Sequence, residues 1–182
     1  MTTNSGAAAT PYDFGAGEVS TTASLQPGLV YETTTLDYLN FLCYYGYDLS
    51  KIKMIATTIP KDFACPKDSG VDSISNINYP SIAVSSFDGK EGRTISRTVT
   101  NVAGNNETIY TVAVDAPQGL NVKVIPEELQ FTKSGQKLSY QVTFTSALSP
   151  LKEDVFGSIT WSNGKYKVRS LFVVSSKSSK SY

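Results

Sequence analysis

The stretch KLSYQVTFTS, residues 137–146, carries the clearest strand pattern in this chain of 182 residues. Leu138, Tyr140, Val142 and Phe144 fall on one face of an extended backbone, and polar residues fall on the other. Alternation with a period of two predicts a half-buried β-strand, because successive side chains of a strand point to opposite faces. The second half of the chain repeats this pattern, and the repetition determines the predicted fold.

NETIYTVAVDAP, residues 106–117, is a second predicted strand, with Tyr110, Val112 and Val114 on one face. The remaining predicted strands are NYPSIAVSSF (78–87), RTISRTVTNVA (93–103), GLNVKVIP (119–126), ELQFT (128–132), DVFGSITWS (154–162) and NGKYKVRSLFVV (163–174). The alternation in RTISRTVTNVA is impure, since Arg97 would share a face with Ile95 and Val99. The short polar segments DGKEG and GNN are expected to be hairpin turns, and Asn163-Gly164 is a strong hairpin signal.

Seven or eight short strands bounded by turn residues favour a mainly β fold. The economical arrangement is a Greek-key β-sandwich of the immunoglobulin or fibronectin type III kind.

The first 75 residues have a different pattern. TTTLDYLNFLCYYGYD predicts a helix capped by Thr35 and ended by Gly46, and DLSKIKMIATT predicts a shorter one capped by Asp48 or Ser50. The predicted buried faces contain Leu36, Leu39, Cys43 and Tyr47 in the first helix, and Ile52 and Ile55 in the second. IPKDFACPKDSG is expected to be a loop, and the serine-rich residues 176–182 a disordered tail.

Composition limits the classes of function. The formal net charge is zero and the pI is about 6.3, which gives no general attraction to nucleic acid or to an acidic membrane. No apolar run is long enough for a membrane span, and the residues after Met1 do not resemble a signal peptide. Cys43 and Cys65 could form one disulfide or remain two buried thiols.

The chain contains no histidine, so it cannot supply a Ser-His-Asp or Cys-His catalytic set or a histidine-ligated zinc. Two cysteines are too few for a thiolate zinc site. Ser-Lys dyads and carboxylate pairs remain formally possible. No residue is assigned to one, and we predict no catalytic, cofactor-binding or metal-binding residue. The glycine-rich GAGE, residues 15–18, lacks the strand-then-helix context and the spacing of a dinucleotide or phosphate loop. The charged candidates are interpreted as turns and a solvated strand face: Asp88 with Glu91, Glu127 with Glu128, and Lys165 with Lys167 and Arg169.

Asn106-Glu107-Thr108 is an Asn-x-Thr acceptor for N-glycosylation, expected at the tip of a hairpin. Together with the cysteine pair, it favours a secreted protein.

Longer motifs carry a resemblance. TPYDFGAG (10–17), PGLVY (27–31) and DYLNFLC (37–43) resemble a segment that follows the catalytic serine in plant subtilisin-like serine proteases. NYPSIAV, SRTVTNVA, FTKSGQKLSYQVTF and VFGSITWSNGKYKVRS resemble successive strands of the fibronectin type III-like domain of that family. The match departs from the family pattern at Glu18, at Ser20-Thr21 and at Gln26, all in a loop.

The resemblance implies that residues 1–72 are the end of a subtilisin-like α/β peptidase domain and its connector, and that 76–175 are the fibronectin type III-like domain. It implies a disulfide between Cys43 and Cys65, an extracellular location in the apoplast or cell wall, and a subtilisin-like catalytic domain as partner in cis. The family's catalytic Asp, His and Ser have no counterpart here, so this chain alone is not expected to be an enzyme. Phe14, Leu29, Val30 and Tyr31 are then expected to lack a packing partner.

The expected function is that of a non-catalytic C-terminal portion that stabilises or docks the catalytic domain of a serine endopeptidase. The alternatives are a free-standing fibronectin III-like module that binds a protein, and a truncated protease paralogue without activity. If Met1 is the true start, the absence of a signal peptide predicts an intracellular chain.

Overall fold

The computed structural model describes residues 2–3, 5–7, 9–67, 70–89, 91–104, 106–146, 151 and 153–176. Nine strands form two sheets that pack face to face. Their bounds are β1 Leu29–Val30, β2 Ile82–Phe87, β3 Arg93–Asn101, β4 Thr108–Asp115, β5 Leu120–Ile125, β6 Glu128–Phe131, β7 Lys137–Ser146, β8 Val155–Ser162 and β9 Lys167–Ser176. The predicted mainly β sandwich is confirmed. The predicted tail lies, apart from Ser176, outside the described residues.

One sheet has the strand order β1-β3-β7-β5 and the other β2-β9-β8-β4-β6. Neighbouring strands are antiparallel except β2 and β9, which are parallel. Among the described strands, β8 and β9 are the one consecutive pair that hydrogen-bonds directly, and Asn163-Gly164 lies in the turn between them. The prediction of a hairpin at that turn is confirmed.

The predicted hairpins at 88–92 and 104–106 are wrong. β2 and β3 belong to different sheets, and so do β3 and β4, so both segments cross between the sheets. An alternating pattern shows that a strand has one buried face, but it does not show which strand lies beside it.

The core fills the space between the sheets. Tyr140, Val142 and Phe144 are almost fully buried, as the stripe on β7 predicts. Trp161 of β8 is fully buried, and its ring lies edge-on to Tyr140 with 5.1 Å between centroids. On β4 the stripe fades toward the end of the strand, because Val114 is 38% exposed.

Before β2, the described residues contain three α-helices, α1 (Pro11–Phe14), α2 (Thr35–Tyr44) and α3 (Leu49–Ile55), and two short 3-10 helices, Ala23–Leu25 and Val71–Asn76. α2 begins one residue earlier than expected, because Thr34 and not Thr35 is the cap; its hydroxyl accepts from the Asp37 amide. α2 ends in a Schellman motif, in which the Tyr47 amide reaches Leu42 O and Gly46 adopts a φ of 97°. A left-handed φ of this kind favours glycine, which explains the residue at this position.

α3 is capped by Asp48, whose carboxylate accepts from the Lys51 amide. α2, α3 and the following loop enclose a second, smaller core made of Leu39, Cys43, Ile52 and Phe63. Two predicted core positions are wrong, since Leu36 is 49% exposed and Ile55 is 59% exposed. Both lie at a helix terminus, where the small core does not reach.

Candidate functional site: the junction of the N-terminal third with the sandwich

The N-terminal third is not loosely attached to the sandwich. Residues 28–32 and 75–81 contact β3, β7 and β9, and we call these two segments together with the side chains that they contact the junction. The expectation that Leu29, Val30 and Tyr31 lack partners is wrong. β1 pairs antiparallel with β3, with Leu29 opposite Asn101, and Leu29 is 2% exposed within the sandwich core.

Tyr31 connects the two sheets through a hydroxyl network. Its hydroxyl oxygen lies 2.8 Å from that of Tyr140 on β7 and 2.8 Å from Ser170 Oγ on β9. Tyr140 and Ser170 are both buried. Burial is the main cause that raises the pKa of Tyr140, and the neighbouring Tyr31 raises it further. The Tyr140 hydroxyl therefore stays protonated and available as a donor. Tyr31 thus satisfies two buried polar groups of the sandwich.

Gly28 allows β1 to approach the sandwich. Its φ is 79°, and a Cβ at this position would lie 2.7 Å from Tyr166 and 2.8 Å from the Tyr110 hydroxyl. Both distances are shorter than real Cβ contacts allow. The segment before Leu29 can therefore lie against these two tyrosines only because residue 28 has no side chain.

Arg97 of β3 holds the second segment of the junction. Its side chain is 2% exposed and donates to the carbonyl oxygens of Ser75, Tyr79, Ser81 and Ser96 at 2.8–3.2 Å. No carboxylate of the described residues pairs with it. Desolvation by burial lowers the pKa of Arg97, yet arginine stays charged in proteins. The buried guanidinium donates several hydrogen bonds, and it thereby fixes the backbone of residues 75–81 against β3.

Asn76 and Asn78 occupy the outer edge of β3 beyond β1. Asn76 Oδ1 accepts from the Ser96 amide at 3.1 Å, and Asn78 Oδ1 accepts from the Thr98 amide at 2.8 Å. Asn78 Nδ2 also donates to Thr98 O and to Glu32 O, at 2.9 Å each. The two asparagines are spaced at the strand period and act as a substitute strand, which leaves this part of the edge without open backbone groups.

We expect Asn78→Ala to accelerate amide hydrogen exchange at Thr98, and Asn76→Ala at Ser96, by about tenfold or more, because each removes that amide's side-chain acceptor. Native-state exchange resolved by NMR would measure both rates. Each variant is the control for the other, and Arg97, whose amide faces β7, should stay protected in both. Equal rates at Thr98 in Asn78→Ala and in the parent chain would show that the asparagine does not close this edge.

Glu32 ends the first segment with a charged contact. Its carboxylate accepts from Lys137 Nζ at 2.7 Å and from the Thr100 hydroxyl at 2.8 Å. The hydrogen bond from Lys137, and then that from Thr100, lower the pKa of Glu32. Since both ionised side chains are about half exposed, this pair orients the chain more than it stabilises it.

The N-terminal segment also touches the outer face of the second sheet. The Tyr12 ring lies edge-on to Phe156 with 5.1 Å between centroids, and its hydroxyl donates to Asp154 at 2.7 Å. Arg169 donates to Ala16 O at 2.9 Å. Between this segment and the strands lies a largely apolar cleft of about 390 Å³. Arg169, interpreted from the sequence as part of a solvated face, therefore holds the GAG turn at 15–17.

The structure places the other predicted residues as follows. Cys43 and Cys65 form a disulfide that ties α2 to the loop after α3. Asn106 is exposed in the crossing between β3 and β4. Glu127 and Glu128 are exposed at the start of β6, and Asp88 and Glu91 flank the crossing between β2 and β3.

Sequence reasoning missed the roles of Arg97, Asn76, Asn78 and Tyr31. Arg97 interrupts an apolar stripe in the sequence. An arginine among core positions is a usable signal, because a buried charge requires partners. Asn76-x-Asn78 carries no such signal, since asparagines before a strand are common in turns.

The described residues contain no group of three or more side chains suited to hold a metal ion. In the same part of the chain, no helix combines the length and the apolar character that a membrane crossing requires.

Comparison with known proteins agrees with this architecture. The sequence profile of the fibronectin type-III domain matches residues 76–174. The chain is 61% identical over 99% of its length to "CO(2)-response secreted protease" of Arabidopsis thaliana, and 60% identical over 97% to "Subtilisin-like protease SBT5.1" of the same plant. It is 40% identical over 91% to "Subtilisin-like serine-protease S" of Lotus japonicus.

The chain spans less than a quarter of these relatives, covering 23%, 23% and 21% of their lengths. The similarity includes the N-terminal third as well as the sandwich, so it extends across the junction. The chain belongs to the fibronectin type-III domain family, and over nearly its whole length it is similar to one portion of plant subtilisin-like proteases.

Proposed function

We propose that this chain is the C-terminal, non-catalytic portion of a subtilisin-like serine endopeptidase, and that its sandwich stabilises or docks the catalytic domain in cis. One observation carries the proposal: β1 precedes α2 in the chain, yet it is built into the sheet of the sandwich through Leu29 and Tyr31. Any domain that precedes residue 28 would therefore be held against the sandwich at a fixed point.

The proposal assigns catalysis to residues that precede this chain in the parent protein. The part matched here follows the catalytic serine in the family, and the chain has no histidine of its own. The division into residues 1–72 and 76–175 is retained as a proposal, with residues 28–32 packed as part of the sandwich. A stable junction would then restrict the motion of the peptidase domain relative to the sandwich.

We also propose an extracellular location, with the Cys43–Cys65 disulfide formed and Asn106 glycosylated. The relative with 61% identity is named as a secreted protease, which supports export. Asn106 is exposed, so a glycan there would meet no packed neighbour.

The first test is the N-terminus and intact mass of the native protein in its source tissue, by mass spectrometry. Peptides that precede Met1 and carry catalytic Asp, His and Ser segments support the proposal. A native chain that begins at Met1 would contradict it and would favour the free-standing binding module or the inactive paralogue.

The second test uses the parent protease with Gly28→Ala, and with Gly164→Ala as the matched control. Both glycines have a left-handed φ, but only Gly28 lies against the tyrosines of the junction. We expect the first variant to lose peptidase activity on heating clearly faster than the control, because the control carries only the backbone penalty of a left-handed φ. Equal inactivation half-lives for all three proteins would refute a stabilising role for the junction.

A further inference from the structure

The glycan acceptor segment is partly built into the sandwich. Asn106 is exposed, but Thr108, the third residue of the Asn-x-Thr motif, is the first residue of β4 and pairs with Phe131 of β6. The middle residue, Glu107, accepts a hydrogen bond from the side chain of Gln130. Only the first residue of the motif is thus free of the sheet.

The hydroxyl of Thr108 is held by a residue from a distant part of the chain. Asn163 Nδ2 donates to Thr108 Oγ1 at 2.8 Å, across 55 sequence positions. The same Asn163 side chain is fixed on its other side, since its Oδ1 accepts from the Tyr166 amide at 2.7 Å and from the Lys165 amide at 3.1 Å. The turn of the β8–β9 hairpin therefore holds the Thr108 hydroxyl in place through a hydrogen bond from Asn163.

The chemistry of the modification gives this contact its importance. In N-glycosylation the Asn106 Nδ2 attacks C1 of an oligosaccharide carried on a lipid diphosphate. A C–N bond forms, the bond from C1 to the diphosphate oxygen breaks, the lipid diphosphate leaves, and the amide loses one proton. The motif demands a hydroxyl at its third position, so the transferase must reach that hydroxyl.

We propose that folding of the β8–β9 hairpin closes the acceptor site, so that Asn106 can be glycosylated only before residues 155–166 dock onto β4. In the folded chain the Asn163 side-chain amide donates a hydrogen bond to the Thr108 hydroxyl oxygen, and we call Asn163 the latch for this reason. The fraction of chains that carry a glycan at Asn106 then shows how often glycan transfer preceded folding of the β8–β9 hairpin. This inference rests on the proposed export of the chain for its relevance in the cell, but its test does not.

The test incubates the purified, folded, disulfide-intact chain with a single-subunit oligosaccharyltransferase and a lipid-linked oligosaccharide, and measures glycan addition by intact mass. A synthetic peptide of residues 104–112 serves as the open acceptor. We expect the folded chain to react about a hundredfold or more slowly than the peptide, because transfer must wait for local opening. Similar rates for the folded chain and the peptide would overturn the proposal.

Asn163→Ala tests the latch itself, with Val122→Ala on β5 as the control. Val122 is half-buried on β5, in the sheet opposite the hairpin, so its truncation destabilises the sandwich while the Asn163–Thr108 hydrogen bond stays in place. We expect Asn163→Ala to react about tenfold or more faster than Val122→Ala, since it frees Thr108 directly. A rate no higher than that of Val122→Ala would overturn the role of Asn163, and neither result depends on a catalytic domain or on secretion.

Discussion

Replacing Gly28 by alanine is expected to destabilise the folded chain by about 3 kcal/mol. The new methyl group would overlap two tyrosines, and the alanine backbone would have to adopt a left-handed φ. The methyl carbon would lie 2.7 Å from the Tyr166 side chain and 2.8 Å from the Tyr110 hydroxyl. Tyr110 cannot move easily, since it is fully buried and its ring lies edge-on to Phe131. In Tyr166 the contact is with Cβ and Cγ, which lie next to the backbone, so a change of the outer ring position does not relieve it. The expected structural result is detachment of β1 from β3.

Chemical denaturation followed by fluorescence of the buried Trp161 would measure the change, and amide exchange at Leu29 and Val30 would report detachment. Gly164→Ala isolates the steric part, because its φ of 82° carries the same backbone penalty but no atom lies within 4 Å of its Cβ. We expect that control to cost about 1 kcal/mol. Equal losses for the two variants would show that the contact with the tyrosines does not matter.

Replacing Arg97 by methionine is expected to cost about 3 kcal/mol, and to lower the melting temperature by about 6–12 °C in a chain of this size. The change removes hydrogen bonds to four carbonyl oxygens. Relief from burying a charge offsets part of the loss, since burial lowers the pKa of Arg97. Methionine preserves the apolar volume, so the effect isolates the lost donors.

The matched control is Arg169→Met. Arg169 is an exposed arginine that donates to Ala16 O, and we expect its loss to cost less than about 1 kcal/mol. Differential scanning calorimetry would measure the melting temperatures of both variants and of the parent chain. Limited proteolysis adds a readout specific to the junction, because residues 75–81 should become cleavable in Arg97→Met alone. A melting temperature unchanged by Arg97→Met would contradict the assigned role.

Much of the fold could be predicted from local patterns. The strand alternation in residues 137–146 and 93–101 depends only on which side chains avoid water, and both predicted faces are buried in the structure. Gly46 and Asp48 mark the end of one helix and the start of the next through backbone hydrogen bonds within a few residues. Such features are short-range, so the sequence contains them directly.

Neighbours across the fold could not be obtained in this way. The segments at 88–92 and 104–106 have turn composition, yet the structure uses both to cross between the sheets. Leu29 and Val30 form a run too short to predict a strand. They become one because β7 pairs with one edge of β3 and leaves the opposite edge of β3 open to β1.

The amino-acid sequence by itself determined strands β2 to β9, the Asp48 cap of α3 and the end of α2 at Gly46, because each depends on residue type and local spacing. The tertiary structure alone decided the junction. It placed Tyr31 between Tyr140 and Ser170, set Asn76 and Asn78 along β3, and brought Asn163 to Thr108. These contacts join residues far apart in the chain, and their energy exists only once the two sheets have packed.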